Sequence, residues 1–595
     1  MRTISWTFCI FCIAILAVHC VAAAPRDTYR DTWVGADALG RPMLDNAFCG
    51  DPAADKTVGL FYFLWHKETA AWPIKDISKI LAGQDSWGGA SSFHHWGESL
   101  LGYYSSEDEY VIGKHFRMIA DAGVDFIFFD TTNGPANTYE TTYKKVLAIL
   151  QSIRDAGEKV PQAAFLVNSD MNASIEKIYA DLYARDLYPE LWFRRDGKPL
   201  LMGHYSGANS AIRDFFTFKR SWAWTSQPWY TETAGQDRWA WLDSYPQQPG
   251  YKNGLPEHIS VAAASHPHGV HAIGKSCGAD ITRPPVFGND GKYIALQWQR
   301  ALQVNPPVIT VTQWNEWIAQ RFIYQDPVSH VPGVTHMVRR PLSAGDSIFI
   351  DVYSSEYSRD LEPMKGGYGD NYYMQLVNHI RQYKGVRPHR AASEPTTITI
   401  NTDFSQWAAV GPDYLDDLND VIHRNHVSFG SDLTYTDTTG RNDLDTMKVA
   451  HDQTYLYFYV KTRQALTAHT DARWMTLLIN ADADYSTGWN GYDHIVNHTV
   501  DSATSTTLKT NAGGTATWAA PESIRYAYAG DQLHVRVPAA SLGITLTKPF
   551  TLDFKWADNS LQSGDIMEFY LHGDAAPNNR FNYRYHSAGA AETAY

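Results

Sequence analysis

Two observations predict an α/β barrel followed by an all-β sandwich. Through the first part of the chain, short apolar runs rich in β-branched and aromatic residues alternate with amphipathic helical patterns, which is typical of a parallel sheet covered by helices. After Pro388 the helical patterns stop, and alternating strands separated by Gly, Asn and Asp turns indicate a sandwich. With 595 residues, the chain is also too long for one hydrophobic core.

Four segments follow from this division. Residues 1–24 carry a positive start, a short apolar run and a closing stretch of small residues, the pattern of a secretory signal peptide, so we expect a secreted protein, extracellular or periplasmic. Residues 25–390 are predicted to be the (β/α)8 catalytic domain, residues 391–397 a linker, and residues 398–595 the β-sandwich.

Eight strand–helix units are predicted in the first domain, which matches a (β/α)8 barrel of the TIM type, although a different α/β fold stays open. The predicted strands are Val58–Trp65, Val124–Asp130, Ala163–Asn168, Leu200–His204, Trp222–Thr225, Ile259–Ser265, Val308–Trp314 and Ser347–Tyr353. The predicted helices are Glu109–Ala122, Tyr139–Ala156, Ser174–Leu187 and Gly291–Val304. In the sandwich, the clearest predicted strands are Tyr455–Thr462, Trp474–Asn480, Gln532–Val537 and Phe550–Trp556.

Composition narrows the class of partner. The formal net charge is −14 and no basic run is present, which disfavours nucleic acid and anionic membrane surfaces. Aromatic residues make up 13% of the chain, and surplus rings with polar edges often line carbohydrate sites. We therefore expect a poly- or oligosaccharide as partner, with no organic cofactor, whereas the oligomeric state is not readable from the sequence.

The most informative motif is Trp314-Asn315-Glu316-Trp317, at the end of the seventh predicted strand. Barrel enzymes carry their chemistry at the C-terminal ends of strands. Indole neighbours favour a protonated carboxyl group, because an apolar environment penalises its charged form. Glu316 is therefore the predicted general acid of a glycoside hydrolase.

Glycoside hydrolysis needs a second carboxylate. Asp130, which ends the second predicted strand, and Glu356, which follows the eighth, are the two candidates. Asp130 is equally compatible with binding sugar hydroxyls, and Glu356 with a loop ion pair to Arg359.

Aromatic, imidazole and polar side chains near the predicted strand ends are candidates for substrate binding, since rings stack on sugar faces and polar groups bind hydroxyls. Each of them is also compatible with loop packing. These candidates are Trp65, His66, His95, Trp96, Glu98, His204, His266, Trp314, Asn315 and Trp317.

Two family resemblances rest on specific residues. The segments 94–98, 102–106, 109–112 and 122–125, together with the motif around Glu316, resemble the glycoside hydrolase family 99-like group, with family 71 more distant. That resemblance implies a (β/α)8 barrel and glycosidic bond cleavage, but Ala319 stands where family 99 has its second carboxylate. The segments 403–407, 455–458, 487–493 and 554–556 resemble a family 9-type carbohydrate-binding module.

Two smaller features complete the predictions. Alternating oxygen side chains around Asp482 and Asp484 suit a structural calcium loop, although an acidic hairpin turn explains them somewhat better. Cys49 and Cys277 form a disulfide only if their Cα atoms lie close together, which the sequence leaves open.

The sequence thus predicts a secreted glycoside hydrolase. The alternatives are a secreted glycan-binding protein whose barrel is inactive, for which Ala319 is the main reason, and a polysaccharide lyase. Sugar, linkage, endo or exo attack and stereochemical outcome stay open.

Overall fold

A computed structural model describes residues 25–67, 73–270, 272–277, 288–430 and 433–587. The N-terminal part is a mixed α/β structure built on a curled, mainly parallel sheet, and the C-terminal part is a separate antiparallel β structure. The predicted signal peptide lies outside the described residues. No helix in the described ranges is long and apolar enough to cross a bilayer.

The helices of the described chain belong to the N-terminal part. They are α1 (Asn46–Cys49), α2 (Ile77–Leu81), α3 (Glu109–Asp121), α4 (Glu140–Asp155), α5 (Met171–Asp181), α6 (Ser210–Phe215), α7 (Pro228–Glu232), α8 (Lys292–Val304) and α9 (Asn371–Lys384). Short 3-10 turns occupy Arg30–Thr32, Pro135–Asn137, Tyr183–Arg185, Pro189–Leu191, Ser405–Ala409, Ala539–Leu542 and Ile566–Tyr570.

The strands of the N-terminal part are β1 (Thr57–Tyr62), β2 (Phe93–His95), β3 (Phe126–Asp130), β4 (Gln162–Leu166), β5 (Arg194–Arg195), β6 (Lys198–Met202), β7 (Thr217–Phe218), β8 (Gly250–Lys252), β9 (Leu255–Ala262), β10 (Val308–Thr312), β11 (Ile318–Gln320), β12 (Phe322–Ile323), β13 (His336–Met337), β14 (Arg340–Pro341) and β15 (Ser347–Ile348).

The large sheet has the order β5-β6-β4-β3-β1-β10-β9-β8, with β7 also paired to β6. Every neighbour from β7 through β1 to β9 is parallel, whereas β5 and β8 are antiparallel additions. At Gly59 in β1, an added Cβ would lie 2.4 Å from the ring of Phe126 in β3, so this close approach requires glycine. The predicted alternation of parallel strands and helices is confirmed.

Two predicted strands are wrong. The segment Ser347–Tyr353 was predicted as the eighth strand, but only β15 forms, and it pairs antiparallel with β12 outside the large sheet. The reason is that β10 already pairs with β1, which leaves no edge for another strand between them. Glu316 therefore follows the strand adjacent to β1, and not a seventh strand followed by an eighth.

The predicted fifth strand, Trp222–Thr225, is also absent. Isolated parallel bridges, Arg220 to Arg238 and Ala223 to Leu242, take its place beyond β7. Trp224 has a positive φ of 55°, which no extended strand accommodates.

The C-terminal part contains strands of an eleven-stranded antiparallel sheet and a separate hairpin, β17–β18. The sheet order is β16-β19-β20-β25-β24-β23-β22-β21-β26-β27, with β28 also on β26. Its strands are β16 (Tyr414–Leu415), β17 (Arg424–Val427), β18 (Thr434–Asp437), β19 (Leu444–His451), β20 (Tyr455–Thr462), β21 (Thr476–Asn480), β22 (His494–Val500), β23 (Ser505–Thr510), β24 (Glu522–Ala529), β25 (Gln532–Pro538), β26 (Thr551–Asp558), β27 (Asp574–Ala576) and β28 (Tyr583–His586).

Candidate active site

Glu316 lies four residues after the end of β10, at the C-terminal edge of the parallel sheet. It is only 3% exposed. Its backbone N–H donates to Asp360 Oδ1 at 2.6 Å, and its carbonyl accepts from the Trp96 indole at 3.1 Å. The main chain that presents the carboxyl group is therefore fixed on both sides.

The Glu316 side chain is held through one oxygen. Oε2 accepts from Arg359 Nη2 at 2.9 Å and from the amide of Gln313. Arg359 Nε in turn donates to Gln313 Oε1 at 2.6 Å, which closes a three-residue network. Within the described ranges no donor reaches Oε1. The proton of the acid form is therefore expected on Oε1, because Oε2 already accepts two hydrogen bonds.

Three further carboxylates act on Glu316 electrostatically. Burial raises the pKa of Glu316 well above its usual range, and repulsion from Asp351, Asp360 and Asp130 adds to this, while Arg359 opposes it. Burial raises the pKa of Asp130 to about 6, and Asp351 contributes repulsion there too. The arrangement favours a protonated Glu316 beside an Asp130 that ionises near neutral pH.

Asp130 and Asp351 reach this site from different elements. Asp130 is the last residue of β3, and Thr132 N–H donates to its Oδ1 at 3.1 Å. Asp351 lies in the loop after β15, and Arg359 Nη1 donates to its carbonyl at 2.8 Å. Burial raises the pKa of Asp351 as well.

Asp351 was not among the candidates from sequence. A signal was present, because Ile348-Phe349-Ile350 precedes Asp351 just as an apolar run precedes Asp130. Arg359, which the sequence suggested as a partner for Glu356, pairs with Glu316 instead.

An aromatic and imidazole wall adjoins the carboxylates. The rings of Trp224 and His266 are 4.7 Å apart, and Trp241 lies 6.3 Å from His266. The guanidinium of Arg359 lies 5.9 Å from the Trp241 ring, which connects this wall to Glu316. His268 extends the wall, 5.3 Å from His266.

Two features of the wall are unusual for mere packing. A positive φ is rare for a bulky residue such as Trp224 and is often kept at functional sites. His266 Nδ1 lies 2.8 Å from the Ile350 carbonyl, whereas its Nε2 and the Trp241 Nε1 are buried without a partner in the described part of the chain. Burial and Arg359 keep the pKa of His266 low, so the ring is neutral. Its Nε2 therefore keeps one unused hydrogen-bonding position within the described residues.

Glu356 occupies a different environment. Its Oε1 accepts from the hydroxyl of Ser276 at 2.6 Å and from the Ser276 N–H at 2.9 Å. An added Cβ at Gly274 would lie 2.1 Å from the same oxygen, so this loop packs directly onto Glu356. These contacts tie Glu356 to the segment 274–276.

Four predicted binding residues are buried: Trp96 and three residues of the motif around Glu316. Trp96 and Trp317 stack on each other with centroids 4.4 Å apart, and Trp314 is 0% exposed. Asn315 exchanges two hydrogen bonds with the backbone of Phe63. These four side chains have the contacts of core residues.

The remaining predicted binding residues are distributed around the loops. Trp65 is half-buried and its Nε1 has no partner within the described residues. His66 and His95 are buried, and burial lowers the pKa of each to about 3. Glu98 forms ion pairs with two lysines, Lys365 and Lys79. His204, half-buried beyond β6, has a pKa lowered by burial.

A hairpin of the C-terminal part covers His66 and His95. Phe429, between β17 and β18, lies 6.3 Å from the His66 ring and 5.6 Å from the His95 ring. Its N–H donates to the Tyr103 carbonyl at 2.8 Å. Arg424 of β17 forms an ion pair with Asp108 at 2.8 Å. The two parts of the protein therefore meet directly beside these loops.

Glu362 and Ala319 are both fully buried and packed among residues of the protein core. Glu362 accepts hydrogen bonds from Tyr104 at 2.7 Å, from Trp317 at 2.5 Å and from Ser99, and pairs with His115 at 3.1 Å. Ala319, where the resembled family has its second carboxylate, is fully buried in β11 and faces His94 of β2. Neither position supplies a free carboxylate to the site.

The calcium and disulfide expectations have different outcomes. Asp482 and Asp484 lie in a turn whose hydrogen bonds are local, such as Asp484 N–H to Asp482 Oδ1 at 2.9 Å. Calcium binding there stays a prediction. Cys49 carries a free thiol, so it does not pair with Cys277.

Cavity size does not mark the site. A cavity of about 730 Å³ lies at the opposite end of the parallel strands, where Val124, Asp125 and Gln162 line it just before or at the start of β3 and β4. Asp130 and Glu316 lie at the other end, where β3 and β10 finish.

Comparisons with known proteins gave only distant structural likeness. No family model matches the chain, and neither does any curated protein. The GH99 endo-alpha-mannosidase from Bacteroides thetaiotaomicron is 17% identical, with 55% of this chain and 97% of that chain covered and a TM-score of 0.33. A glycoside hydrolase-like protein is 13% identical, with 56% and 98% covered and a TM-score of 0.31. Scores this low leave the function to be inferred from the site residues.

Proposed function

We propose that the protein is a glycoside hydrolase that cleaves a poly- or oligosaccharide by two-carboxylate chemistry. The observation that carries this proposal is the buried Glu316, which follows the carboxyl end of β10 and whose pKa is raised by burial and by repulsion from Asp351 and from Asp130 at the end of β3. One carboxyl group that keeps its proton and a neighbour that loses it are what glycosidic bond cleavage requires.

In this mechanism, Glu316 is the general acid. It donates the proton on Oε1 to the glycosidic oxygen as the bond to the anomeric carbon breaks. Arg359 and Gln313 hold Oε2 and stabilise the carboxylate that results. The same network positions Oε1 before the reaction.

Asp130 is the second carboxylate. Its pKa of about 6 makes it ionised at neutral pH, so it either activates water or attacks the anomeric carbon. Asp351 raises the pKa of both carboxyl groups by repulsion and thereby keeps the proton on Glu316. Glu356, bound to Ser276, has a supporting role in its loop.

The wall formed by Trp224, Trp241, His266 and His268 binds the sugar. Indole rings bury the C–H faces of a sugar ring, and Trp224 and His268 are half-buried, so they are the members of the wall that a sugar can reach. This combination favours a neutral carbohydrate over an anionic one, because Arg359 is already paired with Glu316.

The rest of the proposal concerns the setting of the site. The parallel sheet corresponds to a (β/α)8-type barrel in which isolated bridges replace regular strands between residues 217 and 242. The protein is exported by residues 1–24 and carries no organic cofactor. The C-terminal part is a carbohydrate-binding module that also supports the loops around His66 and His95.

A polysaccharide digestion screen tests the proposal. Wild-type protein, Glu316→Gln and Asp130→Asn are incubated with a broad panel of glycans, with Glu356→Gln as the matched control. We expect fragments from the wild type, a loss of about 10³-fold or more in kcat for the first two variants, and activity within about tenfold of wild type for Glu356→Gln.

Other outcomes assign other functions. If no glycan is cleaved while one binds both wild type and Glu316→Gln, the protein is a glycan-binding protein, as Ala319 suggests. Products that absorb through a new double bond would instead identify a lyase. Loss of activity in Glu356→Gln equal to that in Glu316→Gln would move the second catalytic role to Glu356.

A further inference from the structure

Three buried carboxylates meet in the C-terminal part, far from the candidate active site in sequence. Asp416 and Asp420 follow β16, and Asp574 begins β27. One ligand oxygen of each lies within 4.8 Å of the other two. Their exposures are 0%, 4% and 3%, so water does little to screen their repulsion.

The carboxylate of Asp416 has no hydrogen-bond donor among the residues that the structure describes. Neither of its oxygens has a hydrogen-bond partner in the described ranges, and Asp420 Oδ1 has none either. Asp574, by contrast, accepts from the N–H groups of Leu444 and Ala575. A buried carboxylate without donors is strongly unfavourable unless a cation meets it.

The nearby side-chain cations do not supply that partner. Lys555 is attracted by Asp416 and Asp574, but burial lowers its pKa to about 7 and its ammonium donates to the carbonyl of Pro577. Arg117 of α3 is occupied by a two-pronged ion pair with Glu158. Lys114 of α3 attracts Asp420 and Asp574 electrostatically, but it forms no ion pair with a carboxylate of the described residues. Neither oxygen of Asp416 has a side-chain cation as a direct partner in that part of the chain.

A small cavity adjoins the cluster. It measures about 10 Å³, and its lining includes Asp420 and Asp574 together with Lys114 and Arg117 of α3. A space of about this volume holds one water molecule or one ion. The cavity also shows that the cluster faces the N-terminal part of the protein.

We propose that Asp416, Asp420 and Asp574 bind a Ca²⁺ ion at the junction of the two parts. All three are hard oxygen ligands. No His or Cys belongs to the group, so it lacks the nitrogen and sulfur ligands that softer metals prefer. Ca²⁺ fits better than Mg²⁺, because Mg²⁺ keeps several waters and this site is buried. Asp416, with both oxygens unpartnered, suits two-oxygen binding.

The ion has two physical consequences. It neutralises carboxylates that lie between β16, β27 and the cavity lined by α3, and so stabilises the contact between the two parts. It also displaces protons, because burial raises the pKa of all three carboxyl groups. Repulsion from Asp420 adds to this at Asp416 and Asp574, and repulsion from Asp417 adds to it at Asp420. Affinity should therefore increase as pH rises.

Calorimetric titration of the full chain tests the proposal. After EDTA treatment and dialysis, CaCl₂ is titrated at pH 7.5 into wild type, Asp416→Asn and the matched control Asp484→Asn, which changes the exposed turn instead. At the cluster we expect one Ca²⁺ per chain for wild type and the control, about 100-fold weaker binding or none for Asp416→Asn, and proton release detected by comparing two buffers.

Thermal unfolding separates binding from folding. In EDTA, Asp416→Asn should melt no lower than wild type, because the Asp416 carboxyl group has no hydrogen-bond partner in the described ranges that asparagine would lose. Ca²⁺ should raise the Tm of wild type and Asp484→Asn only. Asp420→Asn is the second variant and should behave like Asp416→Asn.

Three results would overturn the proposal: no Ca²⁺ binding by the wild type, undiminished binding by both Asp416→Asn and Asp420→Asn, or binding lost only in Asp484→Asn. MgCl₂ binding tighter than CaCl₂ would overturn the assignment of the ion.

Discussion

Arg359 binds Glu316 Oε2 at 2.9 Å from the same loop that carries Asp351. One guanidinium thus anchors both the proposed acid and the loop that holds Asp351, whose repulsion raises the pKa of Glu316 more than that of any other carboxylate. The pKa of Glu316 is nevertheless raised, so burial and the repulsion from Asp351, Asp360 and Asp130 together outweigh the attraction of Arg359. Substitutions among these neighbours should therefore move the pH dependence of the proposed hydrolase activity in predictable directions.

Asp351→Asn should shift both limbs of the pH–activity profile to lower pH. The charge of Asp351 raises the pKa of Glu316 and of Asp130, so its removal lowers both. The base is then ionised at lower pH, and the acid also loses its proton at lower pH. The measurement is kcat/KM as a function of pH, which reports the free enzyme. Activity at the new optimum should stay within about tenfold of wild type.

Asp326→Asn, an exposed aspartate outside the site, is the control and should leave the profile unchanged. A fall in activity of about 10³-fold at every pH for Asp351→Asn would show that Asp351, and not Asp130, is the second catalytic carboxylate.

The strands that the sequence predicted well are the buried ones bounded by turns. The runs that became β3 and β10 are continuous, apolar and followed by polar residues. The order of the last strands was not predictable, because Arg238 to Leu242 takes part in the curled sheet through isolated bridges and contains no regular β-type run. Assigning Ser347–Tyr353 as the eighth strand was the consequence.

The same error hid part of the site. A strand that continued to Tyr353 would place Asp351 in its interior. Glu356 would then be the first carboxylate beyond the end of that strand. Glu316 and Asp130 were identified because the rule about strand ends needs only local sequence. The pairing of Arg359 with Glu316, by contrast, depends on how two distant loops meet, which no local pattern encodes.

Trp224→Gly should weaken substrate binding without loss of stability. Glycine adopts the positive φ of 55° freely, so the backbone strain is relieved while the indole beside His266 is removed. We expect KM to rise about tenfold, equivalent to roughly 1.4 kcal/mol, with kcat little changed. Steady-state kinetics and the Tm are the measurements.

Trp229→Gly serves as a comparison, since Trp229 donates to backbone carbonyls of the same loop and is not part of the wall. It should lower the Tm and change KM less than Trp224→Gly does. An unchanged KM in Trp224→Gly would remove this residue from the binding site.

Glu362→Gln should destabilise the N-terminal part by about 3 kcal/mol or more. Four groups donate to or pair with this buried carboxylate, and an amide accepts through one oxygen only. Hydrogen bonds and His115 hold the pKa of Glu362 below its usual value despite burial. The ionised form therefore stabilises the folded state above about pH 4.5, and this stability is lost as pH falls.

The measurement is denaturant unfolding at pH 7 and pH 4. The gap between wild type and Glu362→Gln should be larger at pH 7 and shrink at pH 4. A variant of normal stability that lacks activity at every pH would instead indicate that Glu362 takes part in the reaction.

Phe429→Ala should loosen the loops of the N-terminal part from a position in the C-terminal part. The ring is 5% exposed and covers His66 and His95, whose pKa values burial lowers to about 3. Removing it admits water, so both pKa values should rise toward the ordinary value, and deuterium uptake in residues 94–104 should increase. Histidine C–H exchange and backbone amide exchange, both read by mass spectrometry, measure these effects.

Phe458→Leu, in the core of the C-terminal sheet, is the control and should leave both readings unchanged. If Phe429→Ala also leaves them unchanged, the hairpin does not support these loops.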